Sequence, residues 1–191
     1  NKRALVPFGE ILPFEELLRP LGSIFVIPNS SFSYGQKQQS PMTVDSLKMI
    51  PAICYEAIFP ELMSSMDNTD INGILMISND SWFGPTQAPL QHLNMARMRA
   101  MELQKPMLRD TNSGITAYID EKGNVSEILQ SDIAGVLSVS FYPVTGRTPY
   151  SYVGNIPLYI LMIILLILGL WERTAKEDDG SKTNLAKLIK P

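Results

Sequence analysis

Cys54 is the only cysteine of the chain, and the stretch that holds it, Ile50-Pro51-Ala52-Ile53-Cys54-Tyr55-Glu56-Ala57-Ile58-Phe59-Pro60, has the make-up of a nucleophile's setting. An isoleucine-rich run leads into the thiol, two side chains able to bond or support it follow, and Pro60 suits the first turn of a helix better than its interior. The pattern predicts a strand, a sharp turn and a helix start. It puts the sulfur at the end of a buried strand, where a helix dipole and free N–H groups favour thiolate chemistry. The competing reading is a buried cysteine that acts as a small hydrophobe. Lys2 and Glu10 form a second pair, at either end of a short apolar segment that Pro7 and Gly9 keep from being a regular helix. By type alone such charges are surface residues. His92, the only histidine, falls in a helical stretch and reads as a residue packed or bonded locally, since a general base needs a reachable partner.

These residues need a scaffold, and 191 residues with 45% hydrophobic and 18% charged content are enough for one sizeable globular domain. A net charge of −3 gives no hint of a nucleic-acid surface. One cysteine excludes an internal disulfide, and one cysteine with one histidine makes a zinc site improbable, so neither metal nor cofactor is expected. The chain opens on Asn1, and its first residues read as the middle of something, a C-terminal fragment of a longer protein.

In chain order, a short helix is expected over 15–21 and a strand over 23–28. Residues 29–42, rich in Ser, Gln, Gly and Pro, read as a mobile loop near the site. A helix is expected over 60–66, and the continuous apolar run 71–78 is a buried parallel strand ending in the polar-aromatic loop Asn79-Asp80-Ser81-Trp82-Phe83-Gly84. Loops at strand carboxyl ends build sites in open α/β sheets. The clearest helix is 89–104, with Leu90, Leu93, Ala96 or Arg97, Ala100 and Leu103 near the helical period, and Met95, Met98 and Met101 as core filler. Strands are expected over 107–110 and 115–119, then a hairpin turn at 120–124, a strand at 125–129 and a last strand at 135–141. Alternation of strands and helices followed by antiparallel strands argues for an α/β layered domain.

Residues 148–171 carry no charge, and 156–171 are almost wholly aliphatic, with Tyr150, Tyr152, Tyr159 and Trp171 available as interfacial anchors. This reads as one transmembrane helix, and Arg173, Lys176, Lys182, Lys187 and Lys190 beyond it put the tail in the cytoplasm by positive-inside bias. The division expected is a domain over 1–150, a membrane helix over 151–172 and a tail over 173–191.

Five motifs then carry a resemblance: Lys2-Arg3-Ala4-Leu5-Val6-Pro7-Phe8-Gly9-Glu10; Ile53-Cys54-Tyr55-Glu56; Ser78-Asn79-Asp80-Ser81-Trp82-Phe83-Gly84; Gln91-His92 with Met95-Ala96-Arg97-Met98-Arg99-Ala100-Met101-Glu102; and Arg109-Asp110-Thr111-Asn112-Ser113-Gly114-Ile115. In this order, ahead of a membrane segment, they resemble the apolipoprotein N-acyltransferase family, a membrane-bound branch of the nitrilase (carbon–nitrogen hydrolase) superfamily. The resemblance implies a nitrilase-like αββα sandwich, partial here, on the outer face of the inner membrane, with a Glu-Lys-Cys triad. Carried over by position, Cys54 is the nucleophile, Lys2 the triad lysine and Glu10 a second glutamate beside the site, while Tyr55 and Glu56 support the nucleophile. The family's general-base glutamate lies upstream of the lysine, and no residue here fills that role by motif. The implied partners are a phospholipid acyl donor, a diacylated lipoprotein acceptor and the membrane. Two other classes stay open: a membrane-tethered nitrilase-type amidase, and a non-catalytic membrane-anchored domain.

Overall fold

The computed structural model describes residues 1–11, 13, 32–36 and 38–188, with side chains through 173. The helix expected over 15–21 and the strand over 23–28 lie outside the described residues, as do residues 29–31 and 37 of the 29–42 loop.

The chain divides into two compact units, Asn1–Tyr152 and Val153–Pro191. The first is built on a six-stranded sheet in the order β1-β2-β3-β4-β5-β6. The strands are β1 Met42–Val44, β2 Leu47–Ile53, β3 Gly73–Ser78, β4 Met107–Thr111, β5 Thr116–Ile119 and β6 Val125–Leu129. β2, β3 and β4 run parallel, while β1 and the β4-β5-β6 meander are antiparallel. The α/β reading and the switch to antiparallel pairing thus hold, and β1 adds a short hairpin at the end of the loop expected over 29–42.

One face of the sheet packs on helices. Alternate residues Ile50, Ala52, Ile74, Met76, Met107, Ala117 and Ile119 turn to this side and are buried with Met63, Met66, Leu93, Ala96, Ala100 and Leu103. The helical layer is α1, Pro60–Ser64, and α2, Ala88–Leu103, each with proline at its start. Its core stripe is Leu93, Ala96, Ala100 and Leu103; Leu90 lies outside it and is exposed. Met95, Met98 and Met101, expected as core filler, are also exposed, because their i, i+3, i+6 spacing puts them on the opposite side from that stripe.

The strand expected over 135–141 does not form. Its alternation is present, but 135–141 pairs with no strand among the described residues, and Val136 is left 92% exposed. Phe141 instead packs edge-on against Tyr118, with ring centroids 6.2 Å apart.

Beyond this segment come α3, Pro149–Val153, and α4, Ile156–Leu188. Residues 156–173 are long and apolar enough to cross a membrane, and every one of them is exposed. α4 runs past the expected end of the membrane segment at 172.

Candidate functional site at the strand carboxyl ends

β2 ends at Ile53, and Cys54 turns the chain with φ 51, a left-handed conformation that non-glycine residues seldom adopt. A 3-10 turn, Cys54–Ile58, then leads through Phe59 to Pro60 and α1. The expected elbow is present, and the helix expected over 60–66 forms over Pro60–Ser64, with the 3-10 turn between it and the end of β2. The thiol is half-buried and free.

Glu56 is 1% exposed and accepts hydrogen bonds from two distant pieces of backbone. Its Oε2 takes the N–H of Ile53 at 2.8 Å, and its Oε1 takes those of Arg3 and, at 3.4 Å, Ala4. The Arg3 guanidinium Nε adds a charge 3.6 Å away. One carboxylate therefore joins the residue before Cys54 to the residue after Lys2. The Tyr55 ring packs edge-on against Phe59 at 5.1 Å.

Lys2 and Glu10 are not solvated surface charges. Lys2 Nζ donates to both Glu10 oxygens at 2.6 Å, and Glu10 Oε2 also accepts the Val6 N–H at 2.8 Å. The segment between them folds into a tight turn in which the N–H groups of Gly9, Glu10 and Ile11 converge on the Val6 carbonyl, and Phe8 takes φ 62. Glu10 and Cys54 line the same cavity of about 330 Å3, whose walls are largely apolar and include Val6, Tyr55, Ile58, Phe83 and Met95. Glu10 also borders a neighbouring hollow of about 400 Å3 with Lys2, Phe32 and Tyr34. Four of the five residues singled out by sequence, Lys2, Glu10, Tyr55 and Cys54, thus line these two adjoining hollows, and Glu56 is the clamp behind them.

A buried polar cluster beneath Cys54 was not assigned from sequence. Asp80, at the end of β3, accepts hydrogen bonds from Ser78 Oγ at 2.5 Å and Arg109 Nη2 at 2.7 Å, with His92 Nδ1 at 3.1 Å. His92 Nε2 lies 3.2 Å from the Cys54 carbonyl oxygen. His92, expected to be packed or bonded locally, is buried, but its partners lie 12 and 38 residues away, because α2 crosses above the ends of β2 and β3. Burial alone would raise the Asp80 carboxyl; the bonds from His92 and Ser78 and the Arg109 charge outweigh it and hold the group below the usual carboxylate range. A signal for this cluster was available: Arg109 shares the inward face of β4 with Met107, and a buried arginine requires a buried carboxylate.

A half-buried thiol on a strained elbow, sharing an apolar cavity with a carboxylate that holds an amine, has the parts of covalent acyl chemistry. Residues 1–146 match the family model for carbon-nitrogen hydrolase, and the chain belongs to that family. Its curated relatives include the apolipoprotein N-acyltransferases of Haemophilus influenzae, 45% identical over 168 residues, and of Vibrio vulnificus, 43% identical over 173. These alignments cover 88% and 91% of this chain but 32% and 34% of the relatives, so the chain spans about a third of their length. Among solved structures, the carbon-nitrogen hydrolase of Helicobacter pylori G27 aligns with a TM-score of 0.48 and 15% identity, over 56% of this chain and 44% of its own.

Proposed function

We propose that this chain is part of an apolipoprotein N-acyltransferase in which Cys54 carries the acyl group. Cys54 Sγ attacks the ester carbonyl of a phospholipid, the C–O bond breaks, and the lysophospholipid leaves with a proton on its freed oxygen. The α-amino nitrogen of a lipoprotein's diacylglyceryl cysteine then attacks the thioester, the C–S bond breaks, and the proton released by the amine balances the thiolate. Splitting the exchange in two avoids bringing both lipid-anchored substrates together at once.

Lys2 supplies positive charge beside the tetrahedral oxyanion, Glu10 holds that amine in place, and Tyr55 and Glu56 support the elbow. The single observation that carries this reading is the Glu56 clamp, which ties the Lys2 segment to the Cys54 elbow through one buried carboxylate. The apolar cavity on Cys54 suits an acyl chain. The names and identities of the curated relatives support the substrate class. Residues 1–150 form the catalytic portion on the periplasmic side of the bacterial inner membrane, 151–172 the membrane segment and 173–191 a cytoplasmic tail.

The test is intact-mass analysis of the full-length protein in detergent with a phospholipid donor. A fatty-acyl adduct on Cys54 that hydroxylamine removes, present in wild type and absent in Cys54→Ala, is the expected result. No adduct, with lipid binding intact, would favour carbon–nitrogen bond hydrolysis instead.

A further inference from the structure

We propose that His92, held by Asp80 and Arg109, is a positioning residue that locks the peptide plane between Cys54 and Tyr55; this rests on the reading of Cys54 as the acyl-carrying nucleophile. A left-handed φ of 51 is unfavourable for a residue with a Cβ such as cysteine, so the surrounding structure must hold it. The five-residue 3-10 turn that follows is too short to do this alone. The hold comes from α2. A carbonyl oxygen can only accept, so His92 Nε2 carries the hydrogen that reaches the Cys54 oxygen at 3.2 Å.

The other ring nitrogen has two ways to be satisfied. Protonated, Nδ1 donates to Asp80 Oδ1 at 3.1 Å; unprotonated, it accepts from Arg109 Nη2 at 3.3 Å. The Nε2–H bond to Cys54 exists in both states. Both nitrogens are therefore engaged away from the thiol, and the imidazole is not the base that takes the thiol proton. Asp80 and Arg109 are themselves buried to 2% and 1% exposure, and Arg109 Nε donates to the Ile115 carbonyl at 3.1 Å, so the ring is braced by a fixed ion pair.

The consequence for chemistry follows from peptide geometry. The described residues contain no cis bond, and in a trans peptide the N–H points opposite to the C=O. Fixing the Cys54 carbonyl on His92 thus fixes the direction of the Tyr55 N–H. That group opens the turn and has no acceptor within it. An N–H directly after the nucleophile is a natural donor to the oxyanion of the tetrahedral intermediate, and a donor aimed in advance needs no reorganisation during reaction.

The test uses two amide variants of the full-length protein in detergent: His92→Gln, whose amide still reaches the carbonyl, and His92→Asn, one methylene shorter. Two rates are read for each, acylation of Cys54 by a phospholipid and alkylation by iodoacetamide, which forms no oxyanion. His92→Asn is expected to acylate about 10- to 100-fold more slowly through kcat, with KM unchanged and alkylation within about threefold of wild type. His92→Gln is expected to stay within about threefold on both rates. A His92→Asn protein that acylates at the wild-type rate overturns the inference. So does one that loses acylation and alkylation together, the mark of a merely structural role. If His92→Asn melts below the assay temperature, Asp80→Asn replaces it, and the same separation of the two rates is required. Undiminished acyl transfer in Cys54→Ala would instead overturn the reading of Cys54, and the inference with it.

Discussion

A carboxylate as buried as that of Glu56 persists only where its lone pairs are used, and here they are used on backbone N–H groups of Arg3, Ala4 and Ile53. Glu56→Gln keeps the size but turns an NH2 toward one of these donors. It is expected to cost about 2–4 kcal/mol of stability, measured by denaturant unfolding, because buried donors lose their acceptor. Acylation should fall further than thiol alkylation, since the clamp sets the Lys2 segment as well as the elbow. Glu10→Gln tests the other half of the site. It removes the charge that holds Lys2 Nζ at 2.6 Å on both oxygens, and the expected result is about 10- to 100-fold slower acylation with little change in melting temperature. The Cys54 elbow was legible in the sequence because an isoleucine run ahead of the cysteine and a proline six residues after it are local signals. The clamp was not, because its partners are main-chain groups up to 53 residues away, and a backbone N–H leaves no mark in residue type.

At the scale of elements, the strands at 71–78, 107–110, 115–119 and 125–129 and the change from parallel to antiparallel were legible because burial on one face or two imposes its period on the sequence. What α2 does was harder to read. A helix with His92, Arg99, Leu93 and Ala100 all buried presents a mixed face to the core, and the three exposed methionines imitate an apolar stripe on the wrong side. The seat of Asp80 beside Arg109 depends on one glycine. A Cβ at Gly114 would overlap Asp80 Oδ2 and lie 2.7 Å from the Asp80 Cβ, so no side chain fits while Asp80 stays on Arg109. Gly114→Ala is expected to displace Asp80 and destabilise the fold by about 2–4 kcal/mol, read as a lowered unfolding midpoint. The same cluster sets an acid limit. Asp80 is held below its unfolded value, so its contribution is full above the unfolded pKa of about 3.9 and is lost as pH falls through the lower folded value. Stability should therefore drop below about pH 4, and in Asp80→Asn this part of the drop should vanish from a pH series of unfolding midpoints.

At the scale of the molecule, the two units pose different solvent problems. In the first, Lys105 is fully buried at the strand amino ends and donates to the carbonyls of Ile71, Val144 and Gly146 at 2.7 to 2.9 Å, which fastens the chain ahead of α3 to the sheet. In the second, 156–173 expose aliphatic side chains throughout, a surface that water does not tolerate and hydrocarbon does. The sequence announced this segment plainly, because an uncharged run is its own signal. If it crosses the membrane, a charge at its middle must be costly there and nearly harmless at its end. Leu165→Arg is expected to weaken insertion by about 2.5–3.5 kcal/mol, while Trp171→Arg, at the interface, should cost about 1 kcal/mol or less. The measurement is the fraction of full-length protein that resists alkaline extraction from membranes, with Leu165→Ala as control. Equal extraction of Leu165→Arg and Trp171→Arg would mean that α4 lies along the surface, and the acyl-transfer site would then need another route to its lipid substrates.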